Sequence, residues 1–163
     1  MTFALSRLND PEYFAQNRLP AHSDHRWFRN VDELAIDDSG YEQSLNGVWK
    51  FHYARNQSDV VDGFEQPDAK TDHWDDIPVP GHIQLQGYDR PHYANVQYPW
   101  DGHEQIEPGE IPTRYNPVAS YVRRFTLDRP AEHGERISIM VKGAESSIAL
   151  WLNGTFIGFS ADS

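Results

Sequence analysis

The sequence predicts an all-β fold. Apolar residues alternate with period two in several short runs, turn residues are abundant, and no stretch keeps a long helical period. The 163 residues include 11 Gly and 11 Pro, which favours short strands joined by turns over long helices. An aromatic content of 13%, with five Trp, supplies enough apolar surface for a packed core and argues against disorder.

Residues 1–44 are polar and rich in His, Asp and Asn, and they read as an extended N-terminal arm with short helical turns. Asp10-Pro11-Glu12 has the order of a helix start, with Asp capping and Pro at the first helical position, and predicts a short helix through Phe14. Asn30-Val-Asp-Glu33 repeats the signal in a form close to a capping box. From Leu45 onward the period changes to two, and residues 45–163 read as one β-domain. Trp49, Phe51 and Tyr53 share one face of a strand, and Val48, Lys50 and His52 take the other. Residues 54–76 carry six Asp and one Glu and read as a solvated connection. Ile77-Pro-Val-Pro80 fits only an edge strand or an extended loop, because each Pro removes a ladder donor.

Three further strands are predicted. Tyr121, Arg123, Phe125 and Leu127 form the first stripe, with Arg123 needing a polar partner or a wet edge. Ile137, Ile139 and Val141 form the second, and Ile148, Leu150 and Leu152 the third. Asn153-Gly154, set between apolar runs, is a strong hairpin signal, since a type I′ turn needs positive φ at both positions. Thr155 to Ser160 is the return strand. Antiparallel strands of this kind fit a β-sandwich.

Composition narrows the function. Fourteen Lys+Arg against 25 Asp+Glu give a net charge of −11, and without a basic cluster to track phosphates, nucleic acid is excluded as an expected partner. The absence of Cys removes disulfides, zinc-thiolate sites and thiol nucleophiles together. The opening Met-Thr-Phe-Ala-Leu-Ser-Arg lacks the form of a signal peptide, and no later stretch is apolar enough to cross a bilayer. No membrane partner and a cytoplasmic location are expected. The sequons Asn56-Gln-Ser58 and Asn153-Gly-Thr155 are read as chance in such a protein. His22-Ser-Asp-His25 has no third ligand at a defined spacing and is read as surface. No Gly-rich phosphate loop, nucleophile elbow or Ser/His/Asp order is present. Among Trp49, Trp74, Trp100 and Trp151, Trp100 is the one expected to line a pocket, and most of the others are read as core.

The stretch from Gly87 to Arg124 is the most informative. It holds Gly-Tyr-Asp-Arg-Pro-His-Tyr-Ala-Asn-Val-Gln-Tyr-Pro-Trp and Ile-Pro-Thr-Arg-Tyr-Asn-Pro-Val-Ala-Ser-Tyr-Val-Arg-Arg. Together with Asn17-Arg-Leu-Pro-Ala-His22, Ser44-Leu-Asn-Gly-Val-Trp49, Leu150-Trp-Leu-Asn-Gly154 and Gly158-Phe-Ser-Ala-Asp-Ser163, it resembles the N-terminal sugar-binding domain of the β-galactosidases of glycoside hydrolase family 2. Nearly the whole chain is covered by these segments in one order. The resemblance implies a jelly-roll sandwich whose C-terminal strands are missing here. It also implies a retaining enzyme for terminal β-D-galactosides of the lactose type, with its two catalytic glutamates on a barrel domain outside this chain. No catalytic residue is therefore assigned, and the chain alone is expected to be inactive.

The same resemblance implies that Asn95 and Asp162 hydrogen-bond the galactosyl hydroxyls. Polar side chains suit this work because hydroxyls both donate and accept, and a carboxylate makes the stronger, charge-assisted bond. Without the resemblance, Asn95 reads as a turn residue and Asp162 as a local cap or turn. Asp162 is implied as a sodium ligand, with other ligands supplied by the barrel. Asp10 aligns with an arm residue, typically Asn, implied in a magnesium site. A plain helix cap explains Asp10 equally well, and both readings stand. Neither ion is expected to bind the isolated chain. The implied partners are a β-galactoside, the remainder of the enzyme with its barrel, and further copies in a homo-oligomer. The alternatives are a stand-alone carbohydrate-binding module sharing the sandwich, and another family 2 glycosidase such as a glucuronidase or mannosidase.

Overall fold

The computed structural model describes residues 3–23, 25–90, 100 and 102–161, and it is mostly β. Among the described residues its strands are β1 (Ala15–Gln16), β2 (Gly47–Ala54), β3 (Asp75–Val79), β4 (Val118–Val122), β5 (Ile148–Leu152) and β6 (Thr155–Ser160), with one short α-helix, α1 (Val31–Ile36), and three 3-10 turns. They form two three-stranded antiparallel sheets, in the orders β1-β6-β5 and β3-β2-β4.

β2 is the centre of the second sheet because its apolar stripe has partners on both flanks. Phe51 is 1% exposed, lies opposite Tyr121 of β4, and meets the rings of Tyr88 and Tyr121 at 4.6 and 4.9 Å. On the other face His52 lies over Trp74 at 5.2 Å, so the predicted division of the strand into two faces holds. Pro78 sits on β3, which borders β2 alone among the described strands and so occupies the edge position that a residue without N–H requires. The β5–β6 hairpin turns at Asn153 and Gly154 with φ of 49° and 77°. The pairing register shifts between Leu150 and Trp151, so one extra residue of β6 is accommodated. That bulge resets the alternation, and Phe156 and Phe159, three apart, are both buried. Phe3 of the arm stacks on both rings at 5.6 and 5.3 Å. Phe64 lies between the sheets, 6.0 Å from Trp151 of one and 5.9 Å from Trp74 beside the other. Trp74 is buried in the core, while Trp151 and Trp49 are half-buried, the Trp49 ring lying 6.4 Å from that of Tyr121.

α1 starts where its caps place it. Asn30 Oδ1 accepts from the amides of Asp32 and Glu33, both at 3.0 Å, while the Glu33 carboxylate reaches back to the Arg29 amide at 2.9 Å. Those amide donors, first from Arg29 and then from Gly40, hold the Glu33 carboxyl below its ordinary pKa.

Three expectations are corrected. The helical turn of the arm precedes Asp10 instead of following it: a 3-10 helix spans Leu5–Asn9, and residues 11–12 form a turn. The chain is needed in extended form immediately afterwards, since Ala15 and Gln16 pair with Ser160 and Phe159. The strand predicted through Leu127 ends at Val122. In a continuing ladder Arg124 would face Val48, but the Arg123 guanidinium donates to the Val48 carbonyl and that of Arg124 to the Ala69 carbonyl, and the side chains displace the ladder. Residues 137–141 form no strand. Ile137, Ile139 and Val141 are 56%, 40% and 43% exposed, because alternation supplies a face and no described strand lies alongside to pair with it.

Candidate functional site

Asn95 and Asp162 both lie outside the described residues, but the segments leading to them are built in detail. The chain enters the Asn95 segment through Gly87 and Asp89, both left-handed at φ 93° and 57°, with Tyr88 between them. The Tyr88 ring rests on Phe51, and its hydroxyl donates to Asp75 at 2.8 Å, which ties the entry to the core of the β3-β2-β4 sheet. At the exit, Trp100 donates its indole N–H to the Tyr115 carbonyl at 2.8 Å. The Tyr115 hydroxyl donates to Asp89, and the amide of Asn116 donates to the Arg55 carbonyl at 3.0 Å. Both ends of the segment are thus fastened to Tyr115, just ahead of β4.

The approach to Asp162 is fastened to the arm. Ala161 donates its amide to the Phe14 carbonyl at 2.8 Å, Arg18 donates to Ser160 Oγ at 2.7 Å, and Asn17 donates to the Ile157 carbonyl at 3.1 Å. Tyr13 stacks on Phe159 at 5.0 Å and 12°. Asn9 accepts from the Ile111 amide at 3.2 Å, so the arm also meets the segment ahead of Tyr115. Stretches far apart in sequence, the arm, the end of β6 and the 111–117 segment, converge on one region.

Asp10 is exposed and sits in the turn after the 3-10 helix. One carboxylate oxygen accepts from the Glu12 amide at 3.0 Å, so it caps a turn rather than a helix. Among the described residues no group of three or more His, Asp or Glu could hold a metal ion. Asp10 can offer a single hard oxygen, and a magnesium site would need its other ligands from elsewhere. His22 and His25 are both exposed.

A cavity of about 520 Å³ opens beside Asp89, Arg90 and Trp100. Trp100 lines it, together with Tyr53 and Tyr115. The pairing of Asp89 with Tyr115 was not legible beforehand, since 26 residues separate them and neither carries a spacing signal. Burial first, and then donation to Asp89, pushes the Tyr115 phenol well above the ordinary value of about 10. The folded-state pKa exceeds the unfolded one, so this group's contribution to stability is complete below pH about 10 and is lost as the pH rises beyond it. Tyr115→Phe is expected to abolish the last phenol to ionise in an ultraviolet pH titration and to flatten the alkaline loss of stability. An unchanged titration would remove the Asp89 bond from the account.

Residues 42–163 match the glycosyl hydrolases family 2, sugar binding domain. The chain belongs to that family. It is 47% identical over 160 residues to a β-galactosidase of Halalkalibacterium halodurans, covering 98% of this chain and 16% of that protein. A β-galactosidase of Streptococcus thermophilus is 43% identical over 156 residues, 96% of this chain and 15% of its own. A β-galactosidase large subunit of Latilactobacillus sakei is 39% identical over 168 residues, 96% of this chain and 27% of its own. The chain therefore spans a small part of these relatives, the part that carries the sugar-binding domain.

Proposed function

We propose that this chain is the N-terminal part of a retaining β-galactosidase acting on terminal β-D-galactosides of the lactose type. The observation that carries the reading is 47% identity to a β-galactosidase across 98% of the chain. The convergence of the arm, the end of β6 and the 111–117 segment supports it, because it gathers the segments flanking Asn95 and Asp162. In this reading residues 1–44 are the arm and 45–163 belong to a jelly-roll sandwich. Asn95 and Asp162 hold the galactosyl hydroxyls, and the two glutamates, about 5–5.5 Å apart in a retaining enzyme, stand on a barrel domain supplied by the remainder of a cytoplasmic homo-oligomer. Asp10 and Asp162 each give one oxygen ligand, to magnesium and to sodium, at sites completed outside this chain.

The test is hydrolysis of a chromogenic β-galactoside by three preparations: this chain, a galactosidase lacking its own N-terminal region, and the mixture. Activity is expected only in the mixture. No activity in the mixture, with lactose bound by the isolated chain in calorimetry, would establish a carbohydrate-binding module instead.

A further inference from the structure

The cavity beside Trp100 has a donor-rich lining that a neutral galactoside does not call for. Its wall includes three guanidinium groups, those of Arg55, Arg90 and Arg114, in a chain whose net charge is −11. The two carboxylates in the same wall are already engaged. Asp89 accepts from the Tyr115 hydroxyl. Glu104 accepts from the Thr113 amide and hydroxyl, each at 2.9 Å, and from the Arg114 amide at 3.2 Å. Those bonds, the Thr113 amide first, keep the Glu104 carboxyl below its usual range. Among the described residues, by contrast, the side chains of Arg55 and Arg90 make no hydrogen bond or ion pair.

Among the described lining residues three guanidinium groups stand against two carboxylates, one net positive charge. Both carboxylates already accept from the chain's own donors, whereas the Arg55 and Arg90 donors are without a hydrogen-bond partner among the described residues. A guanidinium presents a planar fork that matches a carboxylate or a phosphate. The aromatic rings of Tyr53, Trp100 and Tyr115 supply the apolar faces on which the C–H side of a pyranose can rest. The volume, about 520 Å³, falls within the range of about 300–1,000 Å³ typical of small-molecule sites.

We propose that this cavity binds a saccharide bearing an anionic group, with Arg55 and Arg90 holding the carboxylate or phosphate and Trp100 backing the sugar ring. Such a ligand is additional to the terminal galactosyl unit, and its binding is read on this chain without any hydrolysis, so its fate does not depend on the galactosidase reading.

The two sources of the charge are separated by titrating the isotope-labelled 163-residue chain with galacturonate and with galactose 6-phosphate, alongside galactose and inorganic phosphate. The reporter is the Trp100 indole N–H resonance, assigned through Trp100→Phe. Saturable shifts with at least one anionic sugar are expected, and the one that binds identifies the preferred group. Arg55→Gln/Arg90→Gln is expected to weaken that binding at least about tenfold, while Arg136→Gln leaves it unchanged. Both cavity arginines are exposed, and matching unfolding midpoints establish that the double variant is folded. Raising the salt concentration on the unmodified chain gives a second reading, since affinity carried by exposed guanidinium groups falls with screening. The proposal is overturned if neither anionic sugar shifts the reporter or if galactose binds equally well. It fails equally if inorganic phosphate alone matches the sugar phosphate, or if affinity ignores both salt and the double substitution.

Discussion

Phe51→Ala is expected to destabilise the chain by about 3–5 kcal/mol, the range for emptying a buried aromatic site. Phe51 is 1% exposed on the central strand of the β3-β2-β4 sheet, with hydrogen-bonded neighbours on both sides. Its ring meets Tyr88 and Tyr121 edge-on at 4.6 and 4.9 Å, geometries that add to simple area burial. Truncation leaves a cavity that rigid flanking strands cannot close. Total stabilities of domains are only about 5–15 kcal/mol, so much of the folded population is at stake. Val48→Ala on the same strand is the internal comparison. Val48 is 56% exposed, and its truncation is expected to change stability by about 0.5 kcal/mol or less. Urea unfolding of the two variants, followed by tryptophan fluorescence, decides the matter. Equal losses would show that burial of Phe51 does not organise this sheet. A second consequence concerns the site: Tyr88 rests on Phe51 and heads the Asn95 segment, so loss of the ring loosens the entry to that segment as well.

The contrast between Phe51 and Ile139 shows which parts of the fold the sequence made legible. Phe51 belongs to an alternating run that has neighbours, and Ile139 to one that has none among the described strands, yet the two runs read alike because alternation reports a face and not a partner. Most signals that complete themselves within a few residues hold in the structure. Asn30 and Glu33 fix the start of α1 with their own side chains, Asn153-Gly154 fixes a turn by its backbone preference, and Pro78 confines β3 to an edge by a missing N–H. Asp10-Pro11-Glu12 carries an equally good local signal, and it lost to a distant demand, the pairing of Ala15 and Gln16 with β6 some 140 residues away. The end of β4 was likewise decided by Arg123 reaching Val48, 75 residues back. The site follows the same rule. The Asp89–Tyr115 bond, and the lack of a partner for the Arg55 and Arg90 side chains among the described residues, were not legible, because they depend on which loops the fold brings together.

Asp162→Asn tests the proposed sugar-binding role at the position where the change is expected to matter most for catalysis. In the mixture of this chain with a galactosidase lacking its N-terminal region, the substitution is expected to lower kcat/KM by about 10- to 150-fold. That corresponds to about 1.5–3 kcal/mol for a hydrogen bond to a charged group. The amide keeps the size and one acceptor oxygen of the carboxylate and removes its charge, so packing is preserved while the charge-assisted bond is lost. Asn95→Ala, which removes a neutral partner, is expected to cost less per bond. Two outcomes separate recognition from assembly. A variant that joins the truncated enzyme with unchanged affinity but turns over slowly has lost contact with the sugar. One that fails to join has lost the fit of the β6 end, where Ala161 is bonded to Phe14 and Ser160 to Arg18. Arg18→Gln provides the control for that second case, because it weakens the same junction from the arm side without touching the carboxylate. If Asp162→Asn joins normally and retains full kcat/KM, the carboxylate has no part in holding the substrate, and the pocket wall must be sought elsewhere in the enzyme.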